Sequence, residues 1–213
     1  AGGGWRRPVA GAEKGADHPA RPSSTIWWVG GCVEDAAVEA VEARVRRLTG
    51  VPAAHAEYMQ LLRYEEGQFY RRHHDQNAPR SSPWGERVLT FFMRPPRRSN
   101  PSASRGRQHA PALVGTGLAL CSCGGRYLSD DFDGGETHFP AINLTVTPRT
   151  GRAILWPSVL DADPHARDER ADHEALPVRG GTKYAANYWL HMFPYRDAHH
   201  SGCMNRPYAA NWR

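Results

Sequence analysis

The residues with the clearest capacity for chemistry are His73-His74-Asp75, with His173 a hundred positions on and Lys183 ten after that. Side chains at i and i+2 of a strand share a face, so His73 and Asp75 converge while His74 points away. A third imidazole from another strand would place two nitrogen donors and one carboxylate on one side of a metal. That set leaves adjacent coordination positions open and suits non-haem Fe(II) that activates oxygen. His-x-Asp alone is a weak signal in a chain with 11 histidines; its weight comes from its surroundings.

The elements that must position these groups read mostly as strands. One helix precedes them: Asp35 starts it, Val38, Val41, Val45 and Leu48 form an apolar stripe, and Gly50 with Pro52 stops it. Strands are then expected over Glu57–Tyr64 and Gln68–His74, joined by Glu65-Glu66-Gly67, and over Arg87–Met93, Asn143–Thr147, Gly151–Trp156, His173–Val178 and Lys183–Met192. Short strands at close spacing predict a mainly β protein with flanking helices, in the form of a sandwich or jelly-roll barrel. Asp172 and the run Asp130-Asp131-x-Asp133 read as solvated surface or turn.

The 213 residues suit one domain with tails. Residues 1–22, rich in Gly, Ala, Pro and Arg, read as a flexible leader without an apolar signal core, and 196–213 as a C-terminal tail. The longest mostly apolar run, Ala112–Cys121, is far too short for a membrane span. The net charge of +5 is local. Six of the 27 basic residues lie in residues 94–126, which hold no Lys, Asp or Glu, leaving 21 basic against 22 acidic residues elsewhere. A near-neutral remainder argues against a nucleic-acid partner. Residues 94–126 show no period of either kind and read as a disordered insertion, of the sort translated intron sequence would give. Cys121-x-Cys123 has the wrong spacing for a zinc site; Cys32 and Cys203 are either a disulfide or two free thiols.

Three linked stretches make the pattern specific: Tyr64 to Asp75, Gly134-Gly135-Glu136-Thr137-His138-Phe139-Pro140, and His173 through Val178, Gly181 and Lys183 to Trp189. Together they resemble the catalytic core of the prolyl 4-hydroxylases, Fe(II)/2-oxoglutarate dioxygenases with a double-stranded β-helix fold. The resemblance spans residues 23–195 apart from the insertion. It implies that His73, Asp75 and His173 bind iron and that Lys183, with Tyr64 and Thr137, anchors 2-oxoglutarate. It further implies that Trp189 walls the pocket and that Arg87 and His191 lie near the substrate mouth. The implied reaction consumes O2, decarboxylates 2-oxoglutarate to succinate and CO2, hydroxylates a proline of a Pro-rich peptide or protein, and uses ascorbate. The implied compartment is the endoplasmic reticulum or secretory lumen; the oligomeric state is left open. Two alternatives stand beside this reading: an inactive module that binds Pro-rich peptide, and a same-fold oxygenase with another substrate.

Overall fold

In the computed structural model, which describes residues 21–29, 34–78, 82–94 and 132–201, helix α1 (Ala36–Thr49) starts at Asp35. The Asp35 carboxylate accepts from the Ala37 N–H at 2.8 Å, and Gly50 closes the helix at φ 72°, a conformation that suits glycine. Val38 and Val45 are buried and Val41 packs beside them. Leu48, expected on the same stripe, is 69% exposed. At the helical turn angle it lies about 80° round the axis from Val38, and so falls off the buried face.

The described residues include eleven strands: β1 (Ser24–Trp27), β2 (Gln60–Tyr64), β3 (Tyr70–His73), β4 (Arg87–Met93), β5 (Phe132–Gly134), β6 (Thr137–Phe139), β7 (Leu144–Val146), β8 (Ala153–Pro157), β9 (His173–Ala175), β10 (Val178–Gly181) and β11 (Lys183–His191). The strand expected over His173–Val178 is broken into β9 and β10 at Leu176-Pro177, where proline has no N–H to give a ladder. Strands β1, β5 and β6 went unread because three or four residues are too few to show a period. The stretch expected as a tail from residue 196 begins inside helix α2 (Tyr195–His200). The leader up to residue 20, the insertion beyond Arg94 and all four cysteines lie outside the described residues.

Antiparallel pairing gives a five-stranded sheet, β1-β2-β11-β4-β8, and a four-stranded sheet, β3-β9-β6-β7, with β10 paired to β5. The five-stranded sheet is covered on both faces. Outside, Phe91, Ala186, Tyr188 and Leu190 pack with Val38 and Val45 of α1. Inside, Leu62, Tyr64 and Ala185 meet Val178, Tyr70 and Ala175, while Phe139, Trp156 and Ala171 fill the neighbouring volume. Two sheets facing across a shared core, with helices outside, are the jelly-roll arrangement of a double-stranded β-helix. No helix among the described residues is long and apolar enough to cross a membrane.

Strand β11 divides these two volumes by simple alternation. Ala186, Tyr188 and Leu190 join the helix-side core, whereas Ala185 joins the core between the sheets. Lys183, Trp189 and His191 share the parity of Ala185 and are all buried.

Leu62→Ala, at 2% exposure between the sheets, should lower stability by about 2–5 kcal/mol. Leu48→Ala should change it by less than about 0.5 kcal/mol. Urea unfolding midpoints of the two variants check this contrast.

Candidate active site

His73 ends β3 and His173 opens β9, and the two face each other directly in the antiparallel ladder. Paired positions project to the same side, and the imidazole centroids lie 4.2 Å apart. Each ring is oriented by the carbonyl two residues before it. His73 Nδ1 lies 2.8 Å from Arg71 O and His173 Nδ1 2.9 Å from Ala171 O. A carbonyl can only accept, so both Nδ1 atoms carry the proton and both Nε2 atoms present a lone pair. Asp75, just beyond the end of β3, places Oδ1 3.8 Å from His73 Nε2 and Oδ2 3.8 Å from His173 Nε2. One ligand atom from each of the three residues falls within 4.8 Å of the others. His74 points the other way, as strand alternation requires, donating from Nε2 to Asp168 O and accepting the Gln76 N–H at Nδ1.

The electrostatics of His73 and Asp75 suit a divalent cation. Burial, and then the neighbouring His173, push His73 down to about 3, so it is neutral at physiological pH. Burial raises the Asp75 carboxyl, but His173, His73 and the Thr90 hydroxyl outweigh it and bring it to about 2. The Thr90 hydroxyl donates to Asp75 Oδ2 at 2.7 Å. Two imidazole Nε2 donors and one carboxylate, oriented by protein groups before any cation arrives, are a donor set for Fe(II).

His73 and His173 line a cavity of about 320 Å³, open mouth included, together with Tyr64, Tyr70, Thr137 and Trp156. Tyr64 and Thr137 are thus on the same cavity as the two histidines. Tyr70 stacks on His73 with centroids 3.6 Å apart. Sequence reasoning missed Tyr70, since three positions on a regular strand separate opposite faces. A register irregularity between Tyr70 and His73 reunites them.

Lys183 sits behind that wall at 1% exposure, opposite Tyr64 in the β11–β2 ladder. Its ammonium lies over the rings of Tyr64 and Phe92, at 5.1 and 5.4 Å, and donates to Gly135 O at 2.6 Å. Gly135 has φ 65°, and a Cβ there would fall 2.8 Å from Lys183 Cδ. Gly135 therefore lets the backbone pass over the lysine stem. Desolvation lowers Lys183 to about 8 against a usual 10.5. Among the described residues, no carboxylate forms an ion pair with it and only the field of Glu136 offsets its desolvation, so an incoming anion would find a cation without a bonded counter-charge.

Arg87, Trp189 and His191 are brought together through Glu57, a residue the sequence reading did not single out. Arg87 donates through Nε and Nη2 to the two Glu57 oxygens, and His191 Nε2 lies 2.7 Å from Glu57 Oε1. Burial raises the Glu57 carboxyl, yet Arg87 and His191 overcome it and hold it at about 2. The Arg87 guanidinium also lies 4.2 Å from the Trp189 ring centroid and donates to Asp75 O at 3.2 Å. Alternation along β4 would put Arg87 with Leu89 and Phe91, on the helix side. A bulge, in which Leu190 pairs Leu89 but His191 pairs Arg87, turns it inward. Asp172, expected as solvated surface or turn, does close the 3-10 turn Glu169–Ala171 but is buried between two arginines.

The profile of the 2OG-Fe(II) oxygenase superfamily matches residues 123–191. Prolyl 4-hydroxylase 1 of Arabidopsis thaliana is 30% identical over 167 residues, covering 72% of this chain and 47% of that protein. Prolyl 4-hydroxylase subunit alpha-1 of Mus musculus is 30% identical over 184 residues, 86% of this chain and 28% of its own length. The chain thus spans about half or less of the length of these two relatives. Among solved structures, a viral collagen prolyl hydroxylase from Paramecium bursaria Chlorella virus-1, in its 2OG complex, shares the fold. Its TM-score is 0.55 at 23% identity, over 81% of this chain and 80% of that one. A Trichoplax adhaerens prolyl hydroxylase, complexed with a peptide fragment of the hypoxia inducible factor oxygen degradation domain, gives 0.53 at 16% identity over 92% and 74%.

Burial of Lys183 has a measurable pH signature. The folded lysine releases its proton near 8 and the unfolded one near 10.5, so between these values unfolding takes up a proton. The unliganded protein should therefore gain on the order of 3 kcal/mol from this group as pH rises across that window. Lys183→Met should be more stable than the parent at pH 7 and lose that advantage by pH 10, in urea titrations of both.

Proposed function

Because the chain belongs to the 2OG-Fe(II) oxygenase superfamily, we propose that it is an Fe(II)/2-oxoglutarate-dependent oxygenase that 4-hydroxylates peptidyl proline. The observation that carries this reading is the trio of two imidazole Nε2 atoms and one carboxylate, whose histidines line a cavity near the buried ammonium of Lys183. His73 Nε2, Asp75 and His173 Nε2 would hold Fe(II), which with O2 and 2-oxoglutarate would supply an oxidation that turns the cosubstrate into succinate and CO2, with one oxygen atom entering succinate and the other a substrate C–H bond.

The remaining residues bind and orient. Lys183 gives its ammonium to the distal carboxylate of 2-oxoglutarate, and the Tyr64 and Thr137 hydroxyls complete that anchor. Only one acceptor, Gly135 O, is bonded to the ammonium among the described residues, which leaves N–H donors for the incoming oxygens. Binding there pairs the buried ammonium with a carboxylate and so favours a dianionic cosubstrate over a keto acid with a single carboxylate. Tyr70, stacked on His73, lines the cavity beside the histidines, whereas Trp189 lies buried under Arg87 outside that lining. Arg87 and His191 act through Glu57 to keep the Trp189 ring and the Asp75 backbone in place. Proline as the target is supported by the prolyl 4-hydroxylases among the relatives, and an extended Pro-rich segment is a low-entropy ligand for such a cavity. Ascorbate serves to keep the iron divalent between turnovers.

The test is to incubate the protein with Fe(II), ascorbate, 2-oxoglutarate and a Pro-rich peptide, following succinate and peptide mass together. Succinate with one oxygen added to proline is the expected result, lost in His73→Ala and Asp75→Ala. Lys183→Ala should raise the KM for 2-oxoglutarate about 10–100-fold, the equivalent of about 1.5–3 kcal/mol for a charge-assisted hydrogen bond. Succinate without peptide oxidation would point to another substrate for the same chemistry. No succinate from iron-loaded, folded protein would leave a peptide-binding module.

A further inference from the structure

The two histidines are each the last member of an identical three-residue unit. In both, the carbonyl at i−2 accepts from Nδ1 of the histidine: Arg71 for His73 and Ala171 for His173. The residues at i−1, Arg72 and Asp172, are bonded to each other. Arg72 Nε and Nη2 both lie 3.1 Å from Asp172 Oδ2. Arg167, from the connection between β8 and β9, donates to the other oxygen, Oδ1, at 2.8 Å. The two guanidinium groups are half exposed, whereas the carboxylate side chain they share is only 12% exposed. Asp172 also closes the 3-10 turn Glu169–Ala171, its N–H donating to Glu169 O, and that turn carries the carbonyl that orients His173.

We propose that Asp172 is a positioning residue, a clamp that fixes the spacing and tilt of the two ligand imidazoles through Arg72 and Arg167. This rests on the reading of the trio as a metal site. The ladder alone does not fix that spacing, because the β3–β9 pairing is irregular between Tyr70 and His73 and β9 is three residues long. With so few ladder bonds, the crossing ion pair supplies the lateral restraint. Losing it frees the 169–172 turn, and with it the Ala171 carbonyl, so the His173 ring loses its fixed direction. Asp172 touches no cavity-lining ligand atom; it acts one residue behind each histidine.

The experiment titrates the full chain, freed of metal, with Co(II) and follows the visible ligand-field band, with thermal melts of the metal-free proteins alongside. The parent should show a band that His73→Ala abolishes. If it does not, the metal reading fails and the clamp falls with it. Given that band, Asp172→Ala should weaken Co(II) binding about three- to tenfold and shift the band, and Asp172→Glu should restore both. Arg72→Ala, a change at a half-exposed side chain, should weaken binding in the same direction by a smaller factor, because Arg167 still holds the carboxylate. Added to Asp172→Ala, it should have no further effect. Parent-like affinity and band in Asp172→Ala, or independent losses in the double variant, would overturn the proposal. A lowered melting temperature with an unchanged band would overturn it equally, assigning Asp172 to stability alone.

Discussion

A carboxylate buried between two imidazoles has to remain charged without a solvent shell, and much of the molecule is arranged around that requirement. Asp75 satisfies it with the Thr90 hydroxyl on Oδ2 and the two rings on either side, while Arg87 holds its backbone carbonyl. Thr90 and Arg87 both come from β4, so the strand that abuts β11 in the five-stranded sheet also secures a loop leaving the four-stranded one. The Arg87 charge is itself offset by Glu57, which is also hydrogen-bonded to His191. A chain of paired charges and hydrogen bonds thus runs from the candidate metal centre into the sheet. Each link is tolerable in a dry interior only because the next one is present.

The two sheets divide the labour. The five-stranded sheet is stiffened by apolar packing on its helix side and carries the basic and hydroxyl groups inward. The four-stranded sheet is built from short strands with an irregular pairing, and it carries both histidines. Ligands on such short strands depend more heavily on side-chain bonds than on the ladder for their aim. That is where the backbone-oriented imidazoles and the arginine-bonded Asp172 are found.

Much of this was legible in the sequence, and the reason is periodicity. Arg87–Met93 and the start of β11 at Lys183 read from their β-branched and aromatic residues, and the opposite aims of His73 and His74 follow from alternation. What escaped were departures from alternation. The β4 bulge moves Arg87 to the inner face, and the β3 irregularity brings Tyr70 over His73, and neither leaves a mark in residue type. Glu57 escaped because a single acidic residue before an apolar run looks like any exposed strand end; its partners are 30 and 134 positions away. Asp172 looked solvated for the same reason, its arginines being 100 and 5 positions distant.

The alternation of β11 has an evolutionary corollary. On one side its residues meet a helix in a largely apolar setting; on the other they face the chemistry. Substitutions at Ala186, Tyr188 or Leu190 can drift with the helix that covers them and leave the reaction untouched, so robustness and specificity are free to evolve on separate schedules. A one-residue insertion or deletion within the strand has no such freedom. It would exchange the two sides wholesale, sending Lys183 or His191 into the apolar layer and Tyr188 into the cavity. Length in this strand should therefore be held far more tightly than composition.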